Sequence, residues 1–288
     1  MTQRLARPTQ IFGLARLLGT QSWESKDRTM ENARLIVDPP APGAWNMAVD
    51  QAILETADQT GLITLRVYRW SQPTLSLGYF QSHKDRNLHS PSLDCDWVRR
   101  RTGGGAIMHD HELTYSLCVP STHRWSNQNS ELYRLVHRIL IKIFAKQGAA
   151  TTLYEDAAPA TNHTAKHGLP LPSIDPQSFM CFQRRSPGDI VLDGYKIVGS
   201  AQRRLKNALL QHGSVLMKAS AHAPGLPGLE ELGGCILEID PTFSEFADTI
   251  GQELQINVNH GKLSEVELVA AKNATDAFFG SRSWNEKR

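Results

Sequence analysis

Apolar and polar positions alternate with two different periods along the chain, and the switches between them mark out its elements. Residues 34–38 read as a short strand, ended by Pro39, Pro40 and Pro42. Asn46 is then placed to cap a helix in which Val49, Ala52, Ile53 and Thr56 recur on one face, with Gly61 as its stop. Residues 62–70 alternate as a strand, and after Pro73 a second strand is expected over 74–80. The polar stretch 81–95 is a loop, 96–101 leads into a glycine run, 106–108 resumes an extended pattern, and 113–119 is a buried strand. The clearest helix is 127–147, capped by Asn129 or Ser130, with Leu132, Val136, Ile139, Leu140, Ile143 and Phe144 on a broad apolar face and Gly148 at its end. Residues 155–178, rich in Ala, Pro, Thr and His, predict a loop longer than a domain usually carries without purpose. Residues 190–192 and 195–198 flank Asp193-Gly194, a strong hairpin signal. A strand over 208–217, with Gly213 near its middle, and terminal helices over 243–254 and 265–278 complete the reading. Hairpin-joined strands with interspersed helices predict an α+β fold rather than a regular βαβ series.

Composition narrows the function classes. The chain has 288 residues, 40% of them hydrophobic and 21% charged, which excludes a disordered chain. Lys+Arg 31 against Asp+Glu 29 gives a net charge of +2, so no dedicated nucleic-acid binder is expected. No apolar run reaches the roughly 18 residues that a membrane span needs. Four cysteines, with no CxxC, are too few for a disulfide scaffold and fit a reducing cytoplasm. Residues 1–33 read as a peripheral extension without a secretory signal, and 34–288 as a single domain.

Four constellations carry candidate chemistry. Arg100-Arg101-Thr102-Gly103-Gly104-Gly105 sets two cations beside a run whose main-chain N–H groups can approach a ligand closely, which suits a carboxylate, a phosphate or a developing oxyanion; a plain exposed turn is the alternative. No GK[ST] follows, so it is not a P-loop. His109-Asp110-His111-Glu112 tempts a metal reading, with both histidines on one side of an extended chain, but no third ligand stands at motif spacing; Asp110 is the better candidate for holding the glycine loop. Cys181 ends the long polar loop beside Arg184 and Arg185, a setting that favours a thiolate, against the alternative of a buried small hydrophobe. Cys118, between Leu117 and Val119, reads as inert core, and Cys95 and Cys235 stand near turns. Lys196, on the strand after Asp193-Gly194, is either held in place to bind a carbonyl, neutralise a thiolate or move a proton with a lowered pKa, or is a snorkelling surface lysine.

Together these segments resemble the lipoate–protein ligase and octanoyltransferase superfamily. RRTGGGAIMHDHELTYSL (100–117) is similar to its signature, GYKIVGSAQRR (194–204) to its lysine strand and LLQHGSVLM (209–217) to the strand that follows; NMAVDQAILE (46–55) and TLSLGYFQ (74–81) fit its early helix and strand. The resemblance covers roughly residues 34–255, and the long loop and the first 33 residues match poorly. It implies a central mixed, mostly antiparallel sheet flanked by helices, related to the biotin ligase catalytic domain, with an apolar tunnel for an acyl chain. A cysteine ahead of the lysine strand resembles the Gram-positive type of octanoyltransferase.

That likeness implies an acyltransferase with no cofactor. An octanoyl group leaves acyl carrier protein for Cys181, then passes to a lysine of a lipoyl domain or of glycine cleavage H protein. Lys196 orients the acyl carbonyl. Arg100, Arg101, Gly103, Gly104, Gly105, His109, Gly199, Ser200 and Ala201 border the substrate, with backbone N–H groups near 103–105 or 199–201 meeting the oxyanion. Arg184, Arg185, Arg203, Arg204 and Lys206 add a basic rim that steers acidic carriers. An ATP-dependent lipoate ligase and an octanoyl amidotransferase between lipoyl proteins are the alternatives within the superfamily. A non-catalytic module that binds acylated carriers is the alternative outside it.

Overall fold

The computed structural model describes residues 30–157, 174–233 and 239–288. The residues through 29, the middle of the long loop and Cys235 lie outside them. One sheet of eight strands runs in the order β11 (Ile256–His260), β1 (Glu31–Val37), β2 (Ile63–Tyr68), β6 (Glu112–Pro120), β10 (Ala208–Leu216), β9 (Tyr195–Arg204), β8 (Ile190–Leu192) and β7 (Thr152–Leu153). Only the pairings of β1 with β11 and with β2 are parallel; the others are antiparallel. A smaller sheet sets β3 (Thr74–Leu77) between β4 (Asp96–Arg99) and β5 (Ile107–His109). The α+β fold expected from the pattern, with the mixed, mostly antiparallel sheet that the resemblance implies, is therefore the one observed.

The two faces of the large sheet are sorted by the pleat. On β6, Leu117 and Val119 pack with Val136, Ile139 and Ile143 of α2 (Asn129–Lys146) and with Phe246 and Ile250 of α4 (Ile239–Leu254). Cys118 points the other way, into a cluster with Ala48, Ala52 and Ile53 of α1 (Gly43–Thr60) and Ala271 of α5 (Glu265–Ala274), and is buried core as expected. At the hairpin, Asp193 and Gly194 take φ of 48° and 83°, the left-handed pair that a two-residue turn of this kind requires. Among the described residues no helix is long and apolar enough to cross a membrane.

Several boundaries differ from the pattern. Strand β1 starts at Glu31, and β11 was not anticipated, although Ile256 and Val258 alternate across it. Asn46 does not cap α1, whose N-cap is Pro42. It lies fully buried one turn inside, where its amide donates to Ala41 O and Arg69 O, both at 3.1 Å. Nor do Asn129 or Ser130 cap α2, which follows Gln128 without a side-chain cap; Asn129 Oδ1 instead accepts from Arg204 Nη2 at 2.7 Å. In both places a tertiary partner takes the polar group that local capping would have used.

A latch closes the C-terminal side. From α6 (Arg282–Asn285), Asn285 Oδ1 accepts from Arg99 N at 2.8 Å and Asn285 O accepts from Arg99 Nε and Nη2 at 3.0 and 2.8 Å. Trp284 Nε1 donates to Arg99 O at 2.8 Å. Strand β4, which leads into the glycine run, is thus fixed from the far end of the chain.

Between α1 and the sheet lies a buried ionic hub. Arg66 of β2 donates to Asp38 Oδ2 at 2.7 Å, Asp50 Oδ1 at 2.8 Å and Asn46 Oδ1 at 2.9 Å. Asp50 also accepts from Tyr68 Oη and Ser116 Oγ at 2.9 Å each and from His212 Nδ1 at 3.2 Å. Burial pushes the Asp50 carboxyl up, but the His212 hydrogen bond and the Arg66 charge outweigh it and hold the pKa below the ordinary 3.8. The group therefore stabilises the fold fully above that value, and the stabilisation is lost as pH falls through the depressed folded pKa. Asp50→Ala leaves Arg66 short of a buried partner, and a loss of about 3–5 kcal/mol in urea unfolding at neutral pH is expected; a loss below about 1 kcal/mol would show that Asp38 alone neutralises Arg66.

Candidate active site

The cysteine is placed by the glycine run. Ala106 N donates to Phe179 O at 2.9 Å and Cys181 N to Ala106 O at 2.7 Å, so residues 179–181 lie alongside the end of the run. A Cβ on Gly105 would meet Cys181 N at 2.8 Å and Cys181 Cα at 3.0 Å, which is closer than carbon atoms approach. Gly105 is therefore needed for the cysteine backbone, in addition to any ligand. Cys181 then opens a single 3-10 turn, Cys181–Gln183, with Phe182 buried beneath it.

The lysine arrives from β9. Lys196 Nζ stands 3.7 Å from Cys181 Sγ and 2.8 Å from Asp189 Oδ2, and the side chain is only 5% exposed, which excludes a snorkelling surface lysine. A Cβ on Gly199 would collide with Lys196 Cε and lie 2.7 Å from its Nζ, so this glycine clears the lysine's path. Burial acts to lower the Lys196 pKa, but the Cys181 sulfur and the Asp189 carboxylate outweigh it, and the net direction is upward from 10.5. The lowered pKa expected of a proton carrier is not found: the amine is held as an ammonium because it is buried together with its counter-charges.

Asp189 escaped the sequence reading, although it stands one residue before the apolar triplet of β8 in the same hairpin. It accepts from Tyr133 Oη at 2.9 Å and from Ser186 N at 2.8 Å, and is itself 1% exposed. Tyr133 Oη in turn accepts from Ser200 N at 3.0 Å. His137 of α2 also reaches this point, with Nδ1 2.5 Å from Gly188 O and Nε2 2.6 Å from Ser200 Oγ. Burial pulls the His137 pKa down to about 4, so the ring is neutral. Its Nδ1–H donates to Gly188 O, and its Nε2 accepts from Ser200. Ser200 accepts from Tyr115 Oη at 2.7 Å, and Tyr115 accepts from Gln211 Nε2 at 2.9 Å. The Ser200 N–H is thus committed to Tyr133. Gly199 and Ala201 stand in register with Ser214 and His212 of β10, so their N–H groups, which alternate with that of Ser200, face the ladder.

The two arginines of the signature part company. Arg100 is 3% exposed and donates to Ser76 O at 2.9 Å, Ser76 Oγ at 3.1 Å, Gly103 O at 2.8 Å and Gly105 O at 2.7 Å. It braces the glycine turn from within, and burial brings its pKa down to about 10. Arg101 points away and stacks over Phe278 at 4.2 Å and Trp284 at 5.6 Å, so it stands at the C-terminal latch and not at the substrate cavity. Gly104 needs its φ of 95°, which only glycine adopts readily.

His109 lies between Ser76 Oγ, 2.7 Å from Nε2, and Glu112, which bonds Nδ1; its ring stacks 3.7 Å from that of Trp70. Burial lowers its pKa. His111 does not share its side: it is exposed, 3.5 Å from Asp110. Asp110 holds Ser220 Oγ at 2.7 Å, not the glycine turn. Among the described residues no group of three or more His, Cys, Asp or Glu side chains is placed to hold a metal.

These elements border a partly open pocket of about 450 Å³, a volume that includes its solvent-open mouth. Arg100, Gly103, Gly104, His109, Cys181, Gly199, Ser200 and Ala201 line it; Gly105 and Arg101 do not. Tyr68, Trp70, Met47 and His212, which the sequence did not single out, also line it. Part of the anticipated basic rim is spent on the backbone: Arg184 donates to Ser178 O at 2.6 Å, Arg185 to Gly194 O at 2.7 Å, Arg203 to Arg101 O at 3.0 Å and Arg204, though exposed, to Ser126 O, whereas Lys206 is exposed.

Because Asp189 is one of the charges that keep Lys196 protonated, Asp189→Asn is expected to make that amine titrate at lower pH than in the parent, read by NMR of Cε-labelled lysine. An unchanged titration would remove Asp189 from this role.

Comparison with known proteins matches residues 42–227 to the lipoyl protein ligase A/B catalytic domain family. Octanoyltransferase LipM of Brevibacillus brevis is 29% identical over 284 residues, covering 90% of this chain and 100% of its own. Its counterpart from Halalkalibacterium halodurans is 30% identical over 286 residues, with the same coverage of 90% and 100%. Among solved structures, a putative lipoate protein ligase from T. acidophilum with bound lipoic acid superposes with a TM-score of 0.68 at 20% identity, over 89% of this chain and 100% of that one. Lipoate-protein ligase A bound with ATP gives 0.64 at 19% identity, over 88% and 98%.

Proposed function

The chain belongs to the lipoyl protein ligase A/B catalytic domain family, and we propose that within it this protein is an octanoyltransferase working through an acyl-cysteine. The observation that carries the reading is the 3.7 Å approach of Lys196 Nζ to Cys181 Sγ beside the pocket that Cys181 lines. A ligase that activates a free acid with ATP has no need of a thiol there. The relatives of matching length, both octanoyltransferases, support the same reading.

The Cys181 thiolate attacks the thioester carbonyl of octanoyl acyl carrier protein, a C–S bond forms, and the carrier thiolate leaves and takes up a proton. The ε-amine of a lysine on a lipoyl domain or glycine cleavage H protein then attacks octanoyl-Cys181. The C–S bond breaks, the amine loses a proton and an amide results. A thioester is converted to an amide, so no ATP is consumed. The Lys196 ammonium offers a charge to the thiolate and to the carbonyl oxygen. With the N–H groups of 199–201 committed, the backbone share of the oxyanion falls to the glycine turn. His109, Gly103 and Gly104 wall the acyl group, and Arg100 keeps that wall in shape. Exposed Arg204 and Lys206 meet acidic carriers. We assign residues 31–288 to one catalytic domain, because β1 already pairs within the large sheet from Glu31, with the residues before it as an extension, working in a reducing cytoplasm that keeps the thiol free.

Incubation with octanoyl acyl carrier protein is expected to give an intact-mass adduct of one octanoyl group that Cys181→Ala abolishes. Lys196→Ala is expected to slow adduct formation by about 10²–10³-fold, the cost of losing one such donor. Parallel reactions with free octanoate plus Mg-ATP, and with octanoyl H protein as donor, separate the ligase and amidotransferase chemistries. No adduct from the carrier donor, with full turnover in Cys181→Ala, would overturn the proposal.

A further inference from the structure

Four strands of the large sheet bring one residue each into a straight row. Tyr68 of β2 stands opposite Thr114 of β6, Thr114 opposite Ser214 of β10, and Ser214 opposite Gly199 of β9. All four line the cavity. Directly opposed residues share a face, so the row is a trough that crosses the strands at right angles. Its floor is a Thr, a Ser and a Gly, and its end is a tyrosine ring. From Gly199 to Tyr68 there are three inter-strand spacings of roughly 4.8 Å, about 14 Å in all, the order of length of an extended medium-chain acyl group.

The two ends differ in kind. Lys196 Nζ lies 2.7 Å from the empty Cβ position of Gly199, so the reacting groups stand at that end. At the other, Tyr68 Oη is bonded to Asp50 Oδ2 at 2.9 Å and Trp70 Nε1 to Thr114 Oγ1 at 3.0 Å, so both rings are fixed. Met47 of α1 closes the same end: it is 5% exposed, lines the cavity, and lies one helical turn from Gly43, which abuts Trp70, and one from Asp50. Its thioether chain is unbranched and adaptable. Two of the polar side chains along the way are satisfied within the protein: Thr114 Oγ1 donates to Glu112 Oε1 at 3.2 Å, and His212 Nε2 is bonded to Thr102 Oγ1 at 2.7 Å. Such a wall accepts hydrocarbon despite its residue types.

The geometry points to this end wall, with Tyr68 and Trp70 rigid and Met47 yielding, as the gauge of acyl-chain length: the carbonyl lies at Cys181, the chain crosses β9, β10 and β6, and the methyl terminus stops against Met47. The inference rests on the acyl-transfer reading above and adds the residue that decides which chain is taken. Met47→Ala lengthens the trough, and Ser214→Val obstructs its middle without touching the end wall.

The test loads the full chain from hexanoyl, octanoyl, decanoyl and dodecanoyl acyl carrier protein and compares rates of adduct formation by intact mass. The decanoyl-to-octanoyl rate ratio is expected to rise about tenfold or more in Met47→Ala, and the hexanoyl-to-octanoyl ratio by a similar factor in Ser214→Val, since one methylene in an apolar pocket is worth roughly tenfold or more. Rate ratios are insensitive to a partial loss of folded protein. A parent that loads octanoyl, with variants that keep its profile, overturns the gauge alone. A parent that forms no adduct with any chain overturns the transfer reading and the gauge with it.

Discussion

On β9, between two neighbouring strands of the large sheet, a lysine ammonium keeps its charge because a carboxylate buried with it lies 2.8 Å away. Alone, an amine 5% exposed would shed its proton. The pair persists because each partner is itself constrained. Tyr133 and Ser186 orient Asp189, and the absent side chain of Gly199 gives the lysine stem its course. The cysteine is brought to that charge by a second glycine, Gly105, whose missing Cβ admits the Cys181 backbone. Charge, sulfur and cavity meet because two glycines, Gly105 in the glycine turn and Gly199 on β9, omit side chains at the two points of closest approach.

Two polar networks frame the cavity from opposite sides. Under α1, Asp50 gathers Arg66, Tyr68, Ser116 and His212; by the smaller sheet, Glu112, His109, Ser76 and Arg100 form a chain that ends on the glycine carbonyls. Unpaired, groups of this kind would repel hydrocarbon and draw in water. Paired, they make stiff walls, because each hydrogen bond fixes two side chains at once. A cavity built from polar residues can thus present a largely apolar lining to what enters it.

Much of this was legible in the chain. The helix of 129–146, the Asp193-Gly194 turn and the alternation of β6 follow from periodicity and turn chemistry, and the glycine run, Cys181 and Lys196 stand out as residue types with few structural reasons to be where they are. What was not legible is direction. Arg100 and Arg101 are neighbours, yet one braces the glycine turn and the other stacks on Trp284 some 183 positions later in the chain. Asp189, Tyr133 and His137 look like ordinary polar positions until the hairpin and α2 bring them together. Asn46 and Asn129 carry correct cap chemistry, but long-range partners, Arg66 and Arg204, claim their side chains first.

The contact between Asn285 and Arg99 spans 186 residues, and through β4 it holds the strand that feeds the glycine turn. On the ribosome, where the chain appears from its N-terminal end, Cys181 and Lys196 emerge long before the residues that clamp this strand. The thiol and the ammonium can therefore approach one another in a nascent chain whose strand β4 is still unsecured. Trp284 and Asn285 are made after all of these elements, and a translation product interrupted ahead of Trp284 carries Cys181 and Lys196 without the contact that fixes β4.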